Sequence, residues 1–420
     1  MLKELSVNFG NFLLSLSDAI DLASPQIASH QMRTAFIAWQ IAIAAGLSKE
    51  RIENLFIGAL FHDIGALALE DKIKIHNFEA IDFEAHSILG ESLFETTRLF
   101  APARKIVRYH HTPWHQWDTI DRPEVIDSQI LYLADYLERK IDRNQYILYQ
   151  VDGLKEAISS TSGNLIHKSI VELFLQISGR EEFWLDLSSR RLYSILMNSG
   201  PFRRTELGYD NIFPIAALFR NVIDFKSRFT ATHSTGVAEC AVMLSRLFGL
   251  TEAEVKQMEI AGYFHDLGKL AVPNTILEKP DKLTKDEFAV IKQHTYFTYS
   301  VLSTIGGLDQ IAEWAAFHHE TLAGSGYPFH VGASKLNTGS RIMAVADIFT
   351  AIAEDRPYRK GMQRDQIKNV LQSKVDNQVL DKKIVSLLIE NYQEISTAVK
   401  AKQIDSRELF EKKFANIRTQ

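Results

Sequence analysis

The sequence predicts an all-α protein made of two tandem helical domains, and three observations carry that reading. Apolar residues recur at three- and four-residue spacing along most of the chain, as in Ile52, Leu55, Phe56, Ala59 and Leu60, which places them on one face of a helix. Sustained period-two alternation, the mark of half-buried strands, is scarce. The length of 420 residues exceeds one ordinary hydrophobic core and suits two domains of roughly 200 residues each.

Taken in order, the opening stretch MLKELSVNFGNFLLSLSDAIDL reads as an amphipathic helix. It carries acidic residues and has no long apolar run ending in a small-residue cleavage site. Ser48 is placed to cap a helix running through Ile52 to the His62-Asp63 pair. Thr251 and Glu254 form a capping box for a helix running through Val255, Met258 and Ile260 to His265-Asp266. The turn signal Asn198-Ser199-Gly200-Pro201 sets the expected boundary between a domain of residues 1–200 and one of 201–420. No segment approaches the roughly 18 consecutive apolar residues of a spanning helix, so no membrane partner is expected.

Apolar residues at 46% and charged residues at 24% give the balance of a folded soluble protein rather than a disordered one. A net charge of −5 and a pI near 6.3 offer no overall attraction to duplex nucleic acid or an anionic membrane, so phosphate recognition must be local. Cys240 is the only cysteine, which excludes an internal disulfide and fits a reducing compartment; the cytoplasm is the expected location. A homo-oligomer is compatible with this composition, which fixes no oligomeric state.

The chain also repeats itself. Asp21, His30, His62 and Asp63 lie 203 positions before Asp224, His233, His265 and Asp266. Further on, His86, the pair His110-His111 and Asp135 answer His294, the pair His318-His319 and Asp347, with 24 residues from single histidine to pair in both series. Ten of the fourteen histidines belong to these series, so a tandem duplication is the expected origin.

Neutral imidazole and carboxylate suit borderline first-row divalent metals, and five histidines with two aspartates exceed what one tetrahedral ion uses. Two divalent ions are therefore expected in the second half, on His233, His265, Asp266, His294, His318, His319 and Asp347. Adjacent residues on a helix point in different directions, but a carboxylate has two oxygens, which makes Asp266 the candidate to bridge both ions. A pair of ions about 3.5–4 Å apart suits hydrolysis of a phosphate ester.

These residues resemble the HD-GYP family, the HD-superfamily metal phosphohydrolases that cleave bacterial cyclic dinucleotides. The resemblance spans about Asp224 to Met362. It rests on FHDLGKLAVPNTILEKPDKLTKDEF at Phe264–Phe288, His294, HHETLAGSGYP at His318–Pro328, ARI-like and VAD elements within Arg341–Asp347, and RPYRKGM at Arg356–Met362. It implies an iron or manganese pair on the seven residues named above, and catalytic roles for Asp266 and Lys269. Lys269 would also contact phosphate, with Tyr327, Arg356 and Arg359 holding a cyclic dinucleotide. Gly324 and Gly326 suit a loop that needs positive φ or a close backbone approach.

Departures from the family pattern refine the expectation. Phe229 stands where some members place a third-metal glutamate, which favours two metals. Ser227 and Ala323 stand where the family often has aspartates, so 3′,3′-cyclic GMP-AMP is a substrate candidate beside cyclic di-GMP. Asp224 reads as a helix-surface or supporting residue rather than a ligand.

The first half resembles a diverged copy. Its possible ligands His30, His62, Asp63, His86, His110, His111 and Asp135 persist. Ala66 replaces the lysine, however, HHTPWHQW stands where the GYP stretch would be, and no RPYR follows Asp135. That pattern implies a structural or regulatory metal site, or a site for a different ligand. Trp114 and Trp117 read as packing residues or as partner contacts. Two other readings of the whole chain stay open: a non-catalytic receptor for a dinucleotide or protein, and a general HD phosphohydrolase acting on nucleotides or monoesters.

Overall fold

The computed structural model describes residues 5–22, 27–78, 83–226, 232–355 and 360–414. It divides into two compact units whose main spans are residues 7–207 and 208–416. Both are helical, and the described strands are the three-residue pair Ser6–Asn8 and Glu206–Gly208, too short for alternation to show in the sequence. No helix among the described residues is long and apolar enough to cross a membrane.

In the first unit the opening helix spans Phe9–Asp21, capped by the Asn8 side chain, which accepts the Asn11 N–H at 2.9 Å. This helix is amphipathic as expected, but its polar face is buried along with its apolar one. Its polar residues are satisfied internally: the Ser17 hydroxyl donates to the Leu60 carbonyl at 2.9 Å, and Ser15 bonds the Tyr193 hydroxyl at 2.9 Å. Helix His30–Ala44 packs on Lys49–Leu60 and on Pro123–Lys140. Leu55, Leu60, Phe61, Ile130 and Leu133 fill the space between, each fully buried.

The second unit places its helices in the same order. His233–Phe248 packs against Glu252–Phe264, Thr338–Ala353 and Tyr392–Phe414. Val237, Leu244, Met258, Phe264, Ile342 and Phe349 form its core, all fully buried, and each contributes about 1.5–3 kcal/mol by leaving water. The Thr251–Glu254 capping box forms as expected, with the Glu254 carboxylate accepting the Thr251 N–H at 2.9 Å. A second capping box, Thr284 with Glu287, starts the helix Lys285–Thr304 that carries His294.

One glycine in each unit holds this frame together. A Cβ on Gly268 would run into the carbonyl of His294, and a Cβ on Gly65 into that of His86. The turn after each His-Asp pair thus lies directly on the backbone that presents the next histidine, which only glycine permits.

Candidate active site

In the second unit His233 and His265 sit at helix ends, His318 and His319 on a short 3₁₀ turn, and His294 midway along the helix Lys285–Thr304. Nδ1–H donates to the carbonyl three residues earlier in three of them: His265 to Gly262 at 2.8 Å, His294 to Ile291 at 2.7 Å and His318 to Ala315 at 2.7 Å. This fixes the tautomer and leaves the Nε2 lone pair for the site, the usual state of a metal-ligating imidazole. His233 instead faces Glu354 through Nδ1 at 3.3 Å and Asp347 through Nε2 at 3.1 Å.

The donor atoms gather into two groups, His233 with His265 and Asp347, and His294 with His318 and His319. Asp266 lies between them. Its Oδ2 is 3.2 Å from His265 Nε2, and its Oδ1 is 3.5 Å from His294 Nε2 and 3.9 Å from His318 Nε2. Donors held at ~2.1 Å from one ion stand about 3–3.4 Å apart, so these spacings fit first-row ions with little rearrangement. His265 Nε2 is buried without a hydrogen-bond partner, a state that is costly for a polar atom and is relieved by a cation. All seven residues expected from the sequence therefore converge on a cluster that could hold metal.

The electrostatics agree. Burial drives His294 down to about 3 and lowers His318 and His319 as well, so these rings are neutral and able to ligate. Burial alone would raise Asp266, but His265 and Lys269 hold it well below the usual carboxylate range. His233 is lifted to about 10 against the effect of burial by Glu354 and Asp347; an incoming cation would displace that proton.

Lys269 sits three residues after Asp266 on the 3₁₀ segment Leu267–Ala271, where side chains three apart eclipse. Its ammonium contacts Asp266 Oδ2 at 2.5 Å and stays partly exposed. The Tyr327 ring stacks obliquely on His319, 4.9 Å between centroids, and edge-on against the half-exposed Phe288. Gly326 beneath it lies against the His319–Glu320 backbone where a Cβ would clash, and Gly324 has φ +74°. Ala323 is exposed on the same loop. Ser227, Phe229, Arg356 and Arg359 lie outside the described residues.

Two supporting residues escaped the sequence reading of roles. Glu320 is buried and accepts three backbone N–H groups, from Phe329 at 2.7 Å, His330 at 3.1 Å and Val331 at 3.1 Å, pinning the loop that carries Tyr327. Glu354 braces His233. Asp224 proves to be buried rather than on a helix surface. It accepts the Ser234 hydroxyl at 2.6 Å and N–H at 3.2 Å, tying down the helix that starts with His233, and burial raises its carboxyl to about 6. Asp21 does the same for the first unit through the Gln31 N–H at 3.0 Å.

The first unit rebuilds the cluster from its own residues. His62 Nδ1 donates to Ala59 at 2.9 Å and His110 Nδ1 to Val107 at 2.6 Å. Asp63 again lies between, with Oδ2 3.4 Å from His62 Nε2 and Oδ1 3.6 Å from His86 Nε2. Ala66 is buried where Lys269 stands in the second unit. Trp114 packs edge-on against His167 and Trp117 against Tyr109.

Comparison with known proteins agrees with this layout. A family model described as an HD domain matches residues 27–140, and another with the same description matches residues 217–384. The chain is 30% identical over 403 residues to 3′3′-cGAMP-specific phosphodiesterase 1 of Vibrio cholerae, covering 93% of each protein. It is 36% identical over 134 residues to the cyclic di-GMP phosphodiesterase PA4108 of Pseudomonas aeruginosa, a match covering 32% of each. The crystal structure of a cyclic GMP-AMP specific phosphodiesterase of Vibrio cholerae, V-cGAP3, shares the fold with a TM-score of 0.63 and 21% identity over 94% of this chain and 98% of that one. The chain belongs to the HD-GYP family, with an HD domain in each half.

Proposed function

We propose that the second unit hydrolyses a 3′–5′ phosphodiester of a cyclic dinucleotide, with 3′,3′-cyclic GMP-AMP preferred over cyclic di-GMP. The observation that carries the chemistry is Asp266, whose two oxygens face separate histidine groups while Lys269 stands beside them. The preference is supported by the relative alike along 93% of its length, which is named for the mixed dinucleotide. The likeness to PA4108 is confined to 32% of the chain.

In this reading Asp266 would help to hold two divalent ions, iron or manganese, together with His233, His265 and Asp347 on one side and His294, His318 and His319 on the other. When bound, such a pair supplies Lewis acidity at the phosphate and makes water nucleophilic near neutral pH. The protein's own part is to orient and neutralise. Backbone-anchored imidazoles keep Nε2 aimed at the site. The Lys269 ammonium meets a non-bridging phosphate oxygen as a point charge, and Tyr327 with Phe288 forms an aromatic wall on the loop side. A binding role for Arg356 and Arg359 belongs to the same proposal.

The test compares initial rates of the purified full chain on the two cyclic dinucleotides with Mn²⁺ or anaerobic Fe²⁺. The mixed dinucleotide is expected to be cleaved roughly tenfold faster or more, since discrimination at a hydrogen-bonded base edge is strong. Lys269→Met should lower kcat by about 10²–10³-fold, the scale of losing one charge-stabilising group, with metal content unchanged. Cleavage of neither substrate would overturn the assignment.

A further inference from the structure

We propose that the first unit holds a single divalent ion on Asp63, His86, His110 and His111, and that the guanidinium of Arg139 takes the place of a second ion. The donor atoms of these four residues lie within 4.8 Å of one another. His86 and His110 Nε2 are 3.3 Å apart, and Asp63 Oδ1 stands 3.6 Å and 3.9 Å from them, close to the roughly 3.4 Å edge of a tetrahedron of ligands. Asp63 is 4% exposed, and its Oδ1, on the His86 and His110 side, has no hydrogen-bond partner. A buried carboxylate oxygen without a donor calls for a cation.

At the opposite pole, where His30, His62 and Asp135 meet, a fixed positive charge is already present. Arg139, one turn beyond Asp135 on the same helix, places NH2 2.7 Å from Asp135 Oδ2 and donates through NH1 to the Ile75 carbonyl at 2.8 Å. Phe78 covers the guanidinium, its ring centroid 4.2 Å away. His30 is drawn the other way by Glu138, 2.5 Å from its Nδ1, and Glu138 is itself paired with Arg143 at 2.7 Å. Asp63 Oδ2 receives the Gln31 amide at 3.4 Å. Arg139 engages Asp135 only through Oδ2; Oδ1, 3.4 Å and 3.6 Å from the Nε2 atoms of His30 and His62, has no hydrogen-bond partner, so what opposes a dication at this pole is the fixed positive charge of the guanidinium. In the second unit alanine, Ala351, occupies the position one turn after Asp347, and no described guanidinium faces that aspartate.

The consequence is a different kind of site. Three histidines and one carboxylate fill a tetrahedral shell, which is the closed arrangement of a structural ion and leaves no position for substrate water. The absence of a lysine at Ala66 accords with it. The full chain would then carry one ion in its first unit independently of the second.

The experiment uses the full chain with its second cluster broken by His265→Ala and His318→Ala, freed of metal by chelation and then titrated with Co²⁺ alone. One cobalt per chain is expected by elemental analysis, with the intense visible absorption of a four-coordinate site. Adding His110→Asn or Asp63→Asn should abolish it, whereas adding His30→Ala or Asp135→Asn should leave the affinity within about threefold. Circular dichroism identifies any variant that fails to fold, and the paired substitutions at each pole supply the alternative. Adding Arg139→Met should raise the count from one cobalt to two. No cobalt bound in the starting background, loss with His30→Ala but retention with His110→Asn, or a count that stays at one with Arg139→Met would each overturn the proposal. Activity of the second unit enters none of these readouts.

Discussion

Asp266→Asn is expected to reduce cyclic dinucleotide hydrolysis by on the order of 10⁴-fold, the scale on which loss of an essential catalytic carboxylate is felt, and to lower the metal content of the second unit. The asparagine keeps the volume and one oxygen, but it removes the negative charge and turns one of the two metal-facing atoms into an N–H donor. That donor would point at either His265 or His294, whose Nε2 atoms stand 3.2 Å and 3.5 Å from the two carboxylate oxygens. The same change frees Lys269 from its ion pair, so the phosphate contact loosens along with the metal cluster. Steady-state rates with saturating Mn²⁺, set beside metal content by elemental analysis, check both parts. A variant with near-normal turnover and full metal would remove Asp266 from the bridging position. Chelator treatment of the unmodified chain should reproduce the loss of activity, reversibly on return of Mn²⁺.

The two histidine and aspartate clusters were legible in the sequence because metal chemistry restricts residue type severely, and because the duplication printed the same spacings twice. The Thr251–Glu254 cap was legible for a related reason: its hydrogen bonds are local. Contacts across long separations were not. Glu354 and Glu138 do the same work for the first histidine of each cluster, yet they stand seven and three residues after their aspartates, so aligning the repeats does not pair them. Arg139 gives no hint of its role until the helix Pro123–Lys140 brings it onto Asp135. Burial of the opening helix's polar face was not legible, because its serines find their partners at Leu60 and Tyr193 far along the chain. Of the two readings for Asp224, the supporting one holds: it is buried, and its bonds to Ser234 tie down the helix that starts at His233.

Glu320→Ala is expected to destabilise the Tyr327 loop by about 3 kcal/mol, because hydrogen bonds to a charged group contribute ~1.5–3 kcal/mol each and three neighbouring bonds do not add in full. The carboxylate accepts from Phe329, His330 and Val331 at 2.7–3.1 Å while itself 2% exposed. It thereby closes a loop that leaves the His318-His319 pair and returns beneath Tyr327. Hydrogen exchange at residues 329–331 should quicken by roughly 10²-fold, the kinetic equivalent of that free energy under local opening. Exchange on the helix His233–Phe248, which Glu320 does not touch, should be unchanged. Turnover should fall mainly through KM, since Tyr327 belongs to the proposed substrate wall while the anchors of His265, His294 and His318 are separate backbone carbonyls. Glu320→Gln keeps one acceptor oxygen and should give a loss between the wild type and the alanine variant. Unaltered exchange at residues 329–331 in the alanine variant would mean that the loop is held by its own backbone bonds, such as the Tyr327 N–H to the His319 carbonyl at 3.3 Å, and not by the carboxylate.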